Sequence, residues 1–267
     1  MEPEEVIFRI LLFKLFNRIE TWELLTTALG PLTWKTFNLK AYGAVLDEAK
    51  ARKEKIFTSA YMQRPQTVPR GKKEVADEKH YRYLDLLRRL MENRMATRLQ
   101  SARTYQQAYS GLRNFPSPAI GPFAAMQWLT DINCSPVLNF DEDDFIVPGR
   151  GALDGINKCF SGLSLREGNE GDLRLGAEVI QDCVANQEDY FKANGLKPVT
   201  LFGRRLKAID CQNLFCETDK YCRRALPELN QGRTKIKHTF KPTGPLSEPF
   251  FPPKWGLDTS KIPDGVL

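Results

Sequence analysis

The sequence predicts an all-α protein, and three observations carry that expectation. Apolar residues recur at helical spacing, as Val6, Ile7, Ile10, Leu11 and Leu15 do near the start. The one strand-like run, residues 198–202 (PVTLF), is too short to imply a sheet. Around residues 115–132, two apolar runs flank Pro116-Ser117-Pro118 and Ile120-Gly121-Pro122, which reads as helix, short hairpin, helix.

The chain has 267 residues, enough for one large domain or two small ones with a real hydrophobic core. A formal charge of +6 is a modest basic excess, compatible with nucleic acid and not diagnostic of it. Six cysteines are scattered without a CxxC pair, and His80 and His238 lie at no ligand spacing from them. Reduced core thiols are therefore expected, with no metal site and no cofactor. Glu2, Glu4 and Glu5 occupy the place of a basic leader region, and no apolar run approaches a membrane span. The expected setting is intracellular, nuclear in a eukaryote and otherwise cytoplasmic, with no membrane partner.

The first helix has Pro3 at its start and Glu4 and Glu5 in its first turn. Phe8, Leu12, Phe13 and Phe16 widen its apolar stripe, so it is expected to be central. Thr21 is expected to cap a short helix from Trp22 that Gly30-Pro31 ends, and another helix is expected over residues 39–52. Residues 64–73 (RPQTVPRGKK) form a basic loop: an exposed nucleic-acid contact, or simply a solvated one. A single long helix is expected over residues 76–100, and a second helical stretch reaches Leu112.

In the hairpin, Gly121 is expected to supply a positive φ and Pro122 to open the next helix. Backbone amides at this helix start, around Gly121 and Phe123, could hold a phosphate; an ordinary helix corner is the competing reading. An acidic run, residues 141–144, follows. Residues 148–155 (PGRGALDG) are glycine-rich but lack the pattern of a phosphate-cradling P-loop. Asp172 is expected to cap a helix to residue 194, which Gly195 ends.

Residues 204–226 read as one helix. Cys211, Leu214, Phe215, Cys222 and Ala225 share its core face at about 100° per residue. Asp210, Asn213 and Glu217 stack on the neighbouring face, flanked by Lys220; the alternatives are a site and a solvated, salt-bridged surface. Arg204, Arg205 and Lys207 at its start are candidates to meet a phosphate backbone. From residue 227 to 267 prolines and glycines predict an extended tail, leaving residues 1–226 as one helical domain.

Five pieces in order carry a resemblance: FRILLFKLFNRIETWELL, SAYM at residues 59–62, IGPFAAMQWLTDI, DFIVPGRGALDGINKCF and DCQNLFCETDKYCR. They span residues 8–223. The sequence resembles the helical domain found with phage 5-hydroxymethyluracil DNA kinases, also described as α-glutamyl/putrescinyl thymine pyrophosphorylases. The resemblance implies a helix-hairpin-helix, DNA-glycosylase-like architecture that flips a base, and a role in thymine hypermodification. There an amine or amino acid displaces an activated 5-hydroxymethyl group. It also implies that Asp131 and the acidic run, Asp144 foremost, supply an essential acid, and that Asp210, Gln212, Asn213 and Glu217 form a second motif. Two departures stand out: GRGA at residues 149–152 where GPGA is expected, and no kinase domain, so that a separate kinase is expected upstream.

The expected function is therefore a DNA-binding enzyme that transfers an amine or amino acid to an activated 5-hydroxymethyluracil. Gln127, Gln212 and Asn213 are amides able to read a base edge, and Trp22, Phe16 or Tyr61 could stack on the base. Asp144, Asp210, Glu217 and Asp131 are the candidate acids and bases. Asp144 is singled out because it stands where the chain turns from solvent to the apolar Phe145-Ile146-Val147, a place for a partly desolvated carboxylate. The alternatives are a glycosylase for a modified base and a non-catalytic reader of modified DNA.

Overall fold

The computed structural model describes residues 1–58, 78–117, 120–230, 234, 236 and 251–257. Among them are eleven α-helices and one antiparallel ladder of two residues per strand, an all-α fold. The SAYM motif with Tyr61, the basic loop 64–73, Pro118 and most of the tail lie outside the described residues. The chain divides into two compact units, Met1–Phe140 and Asp141–Leu267.

The first unit holds α1 (Pro3–Phe16), α2 (Ile19–Leu29), α3 (Leu39–Ala51), α4 (Lys79–Glu92), α5 (Met95–Gln100), α6 (Tyr105–Arg113) and α7 (Pro122–Asn133). As its stripe predicts, α1 is central: it buries Ile7, Phe8, Leu11, Leu12, Leu15 and Phe16 and packs against α2, α4, α5 and α7. It ends at Asn17 in the left-handed region, φ 49°. Three expectations are corrected here. Thr21 is not a cap; it is buried within α2 and its Oγ1 donates to the Ile56 carbonyl at 2.9 Å. The single long helix is two, because Arg94 adopts φ 52° between α4 and α5. Gly121 has φ −74°, extended backbone open to any residue, and a Cβ there meets nothing. Pro122 does open α7, as expected.

At the start of α4, His80 is 1% exposed, with Nε2 2.9 Å from Asp47 Oδ1. Tyr81 donates to the other Asp47 oxygen at 2.8 Å, and Lys50 pairs with Glu78 beside them. Burial pushes the imidazole below its ordinary value, more than Asp47 and Glu78 raise it. The unfolded chain then binds the proton first as pH falls. The stability of a neutral His80 is complete above about pH 6.5 and drains away below it, by at most about 1.4 kcal/mol per pH unit. Urea midpoints between pH 7.5 and 5.5 should therefore fall in the wild type and flatten in His80→Gln; parallel slopes would remove the assignment.

The second unit holds α8 (Arg150–Cys159), α9 (Glu170–Ala185), α10 (Gln187–Ala193), β1 (Thr200–Leu201), β2 (Arg204–Arg205) and α11 (Ala208–Ala225). Helix α11 crosses α8 closely, with Gly155 of α8 directly under the Phe215 carbonyl. The predicted helix over 172–194 is α9 followed by α10, with a break at Asn186; Asn169, not Asp172, caps it by accepting from the Asp172 amide at 3.0 Å.

Arg204 and Arg205 do not start a helix. They form β2, paired with β1 across Phe202 (φ 49°) and Gly203 (φ 89°), a tight reversal whose second position suits glycine. Helix α11 starts at Ala208, where the Asp210 carboxylate reaches back to the Lys207 amide, one half of a capping box. Cys211 and Cys222 are buried as predicted, but Leu214 is 53% exposed and Ala225 is exposed. The buried face instead carries Gln212, Asp219 and Arg223.

Candidate functional site

A pocket of about 400 Å³ opens in the first unit between α1, α2 and α7, lined by Arg9, Ile10, Phe13, Ile19, Trp22 and Asp131. The helical repeat assembles it. Arg9, Ile10 and Phe13 fall on one face of α1, Ile19 and Trp22 are three apart on α2, and Asp131 is in the last turn of α7. Phe13 meets Trp22 edge-on, with ring centroids 6.2 Å apart, and the Arg9 guanidinium lies over the indole at 4.9 Å. The Lys14 ammonium is 2.7 Å from Asp131 Oδ2; the lysine side chain is 11% exposed and the carboxylate 38%. The pocket thus offers aromatic and aliphatic walls with one anchored carboxylate at the edge.

Two sequence-predicted residues, Trp22 and Asp131, are brought together here. Gln127 is buried one turn before Asp131 on α7. Gly121 and Phe123 are at the far end of that helix, about 15 and 12 Å from Asp131 at 1.5 Å per residue. Arg9 and Lys14 were not singled out from the sequence. The available signal was their position as the two cations inside the apolar run FRILLFKLF.

The other candidates lie in the second unit, where most have partners within the protein. Asp144 is exposed, which corrects the expectation of a half-desolvated acid. Its neighbours make the contacts instead. Asp143 accepts from the Ala208 amide at 3.0 Å and from Lys207 Nζ at 2.6 Å, and Asp141 accepts from Lys207 at 3.0 Å. The Asp143 amide, then Lys207, hold the Asp141 carboxyl below its ordinary value. Glu142 accepts from Arg204 and from the Trp255 indole N–H, each at 2.8 Å, and Trp255 stacks on Arg204 at 4.2 Å.

The basic candidates are accordingly engaged: Arg204 by Glu142, Lys207 by two aspartates, and Arg205 by the Val184 carbonyl. Asp210 caps α11 by accepting from the Lys207 amide at 2.9 Å. Gln212 is buried and accepts from the Gly149 amide at 3.2 Å, tying α11 to the start of α8. Asn213 is exposed, and Glu217 pairs with Lys220 in solvent. Among the described residues, Asp210 faces the start of α11 while Asn213 and Glu217 are exposed.

The class this defines is an all-α protein with a ring-sized aromatic pocket bearing a carboxylate. The chain belongs to a known family within that class: residues 1–231 match the family described as the helical domain of 5-hmdU DNA kinase. The match runs through both units. Comparisons with curated proteins and with solved structures gave no match. Among the described residues no helix is long and apolar enough to cross a membrane, and no cluster of His, Cys, Asp and Glu could hold a metal ion. Family and fold point to thymine modification in DNA.

Proposed function

We propose that the chain works as one DNA-base-modification domain over residues 1–226, with a glycosylase-like use of its helices. It takes an extruded, activated 5-hydroxymethyluracil into the Trp22–Asp131 pocket. The observation that carries this is the pocket itself, which joins an indole, a phenyl ring and an anchored carboxylate in a space of about 400 Å³. The base stacks on Trp22 with the Phe13 ring edge-on beside it, and Gln127, one turn before Asp131 on α7, is the amide proposed to read its edge. The amide groups at the start of α7, around Gly121 and Phe123, contact the backbone of the same strand.

In the reaction, an amine or amino-acid nitrogen attacks the methylene carbon on C5 of the base. The C–O bond to the activating phosphate group breaks and that group leaves with the electron pair. The surplus proton on nitrogen passes to Asp131. A separate kinase supplies the activated ester. In the second unit Asp210 caps α11 and Gln212 ties it to the start of α8, while Asn213 and Glu217 stay exposed on its surface. Retention of the N-glycosidic bond separates this reading from a glycosylase, which leaves an abasic site.

The test is single-turnover chemistry on a duplex bearing the activated base. Asp131→Asn should slow amine transfer by about a hundredfold, about 2.7 kcal/mol, while binding changes little. Trp22→Ala should weaken binding of the modified duplex and leave an unmodified one unaffected. An Asp131→Asn protein with full rate would remove Asp131 from the role of base. An abasic product would establish the glycosylase.

A further inference from the structure

Of the two charged residues lining the pocket, Asp131 has Lys14 opposite it, whereas Arg9 has no carboxylate within ion-pair distance among the described residues. Arg9 spends one donor on the Leu32 carbonyl, at 3.1 Å, and its guanidinium carbon lies over the Trp22 ring, 4.9 Å from the centroid. A guanidinium has five N–H donors in one plane. One of the five is used by Leu32, and the others belong to a side chain at a pocket whose lining, Asp131 apart, is apolar. Holding an unpaired cation against apolar surface costs free energy that a neutral amide would avoid. The arrangement suits a ligand that brings its own negative oxygen. A planar guanidinium edge matches a phosphate or carboxylate with two parallel hydrogen bonds.

We propose that Arg9 is the specificity-determining residue of this pocket, binding an oxyanion carried by the nucleotide whose ring stacks on Trp22. The inference rests on the reading that a base enters this pocket. The oxyanion has two possible sources of the same chemistry: a phosphate group on the arm of the base, or the backbone phosphate of the extruded nucleotide. Arg9 does not take the proton in the reaction; it selects which nucleotide is held in place for it.

The experiment uses the full chain and three duplexes identical except at one base: thymine, 5-hydroxymethyluracil and 5-phosphooxymethyluracil. Affinities and their salt dependence are measured for the wild type, Arg9→Gln and Arg9→Lys, each first shown to melt cooperatively. Arg9→Lys keeps the charge without the two-pronged edge, which covers the case in which Arg9→Gln does not fold. If the arm is the source, the wild type prefers the phosphorylated duplex by about tenfold or more. Arg9→Gln then loses that preference and retains 5-hydroxymethyluracil binding, and Arg9→Lys falls between.

If the backbone is the source, Arg9→Gln weakens all three duplexes equally and its salt slope falls by about 0.9. Unchanged affinity and slope in a folded Arg9→Gln protein would overturn the proposal and reduce Arg9 to a staple on the indole. Trp22→Ala then separates the two levels of the argument. If it still weakens the modified duplex, base entry stands without Arg9; if it does not, both fall.

Discussion

Replacing Gly155 with alanine is expected to destabilise the second unit by about 3 kcal/mol or more, the upper range of overpacking costs. A Cβ on Gly155 falls 2.0 Å from the Phe215 carbonyl oxygen and 2.6 Å from its carbon, both backbone atoms of α11. Backbone inside a helix cannot swing aside, so α8 and α11 must separate along their whole contact. Alanine's better helix propensity, worth about 1 kcal/mol, works in the opposite direction and is outweighed. Gly151, one turn earlier, is the internal control. Its Cβ meets the Cys216 Sγ at 2.6 Å, the end of a side chain that can rotate. Urea unfolding should thus rank wild type, Gly151→Ala and Gly155→Ala in descending stability. A Gly155→Ala protein as stable as the wild type would mean that the helices do not cross so closely.

The second large effect is expected at Asp219, where Ala should cost about 3–5 kcal/mol, the penalty for orphaning buried charge. Its carboxylate is 1% exposed and accepts from Lys158 Nζ at 2.6 Å and from Arg223, whose side chains are 8% and 5% exposed. Lys158 also reaches Asn230, whose own amide holds the Arg223 carbonyl, so the network ties down the end of α11. Burial alone raises the Asp219 carboxyl. The hydrogen bonds and charges of Arg223 and Lys158 reverse this and hold it below its ordinary value. Its stabilisation is therefore present above the unfolded carboxylate pKa and is lost as pH falls through the folded one. Replacing all three charges together, Lys158→Met, Asp219→Leu and Arg223→Met, should restore much of the stability lost in Asp219→Ala. A triple variant no better than Asp219→Ala would show that geometry, not unpaired charge, sets the cost.

These residues also show what the sequence disclosed. The stripe of α1, the proline openings of α1 and α7, and the burial of Cys211 and Cys222 were legible because each depends on neighbours within a few turns. Asp219 was not. It lies nine residues from Asp210, half a turn around the helix from the carboxylates that drew attention, and its partner Lys158 is 61 residues away. The break at Arg94 was equally hidden, since an arginine in the left-handed region is imposed by packing and not by its own preference. The candidate site was half legible. Trp22 was selected as an aromatic able to stack and Asp131 through the resemblance, but only the packing of α1, α2 and α7 brings them to one pocket and adds Arg9. At the basic cluster 204–207 the counter-ions were not legible, because sequence counts charges without their partners.

The Trp255 contact extends that last point. The family match ends at residue 231, yet the indole that covers Arg204 comes from residue 255. Arg204 is thus a cation whose surroundings are supplied partly by chain outside the shared domain, so a relative with a different tail would present the same arginine with Glu142 but without its aromatic cover. Electrostatic character at this hairpin is then a property of the tail as much as of the domain. Two proteins with identical residues 1–231 could show anions different surfaces, and their formal charges over the shared region would not reveal it.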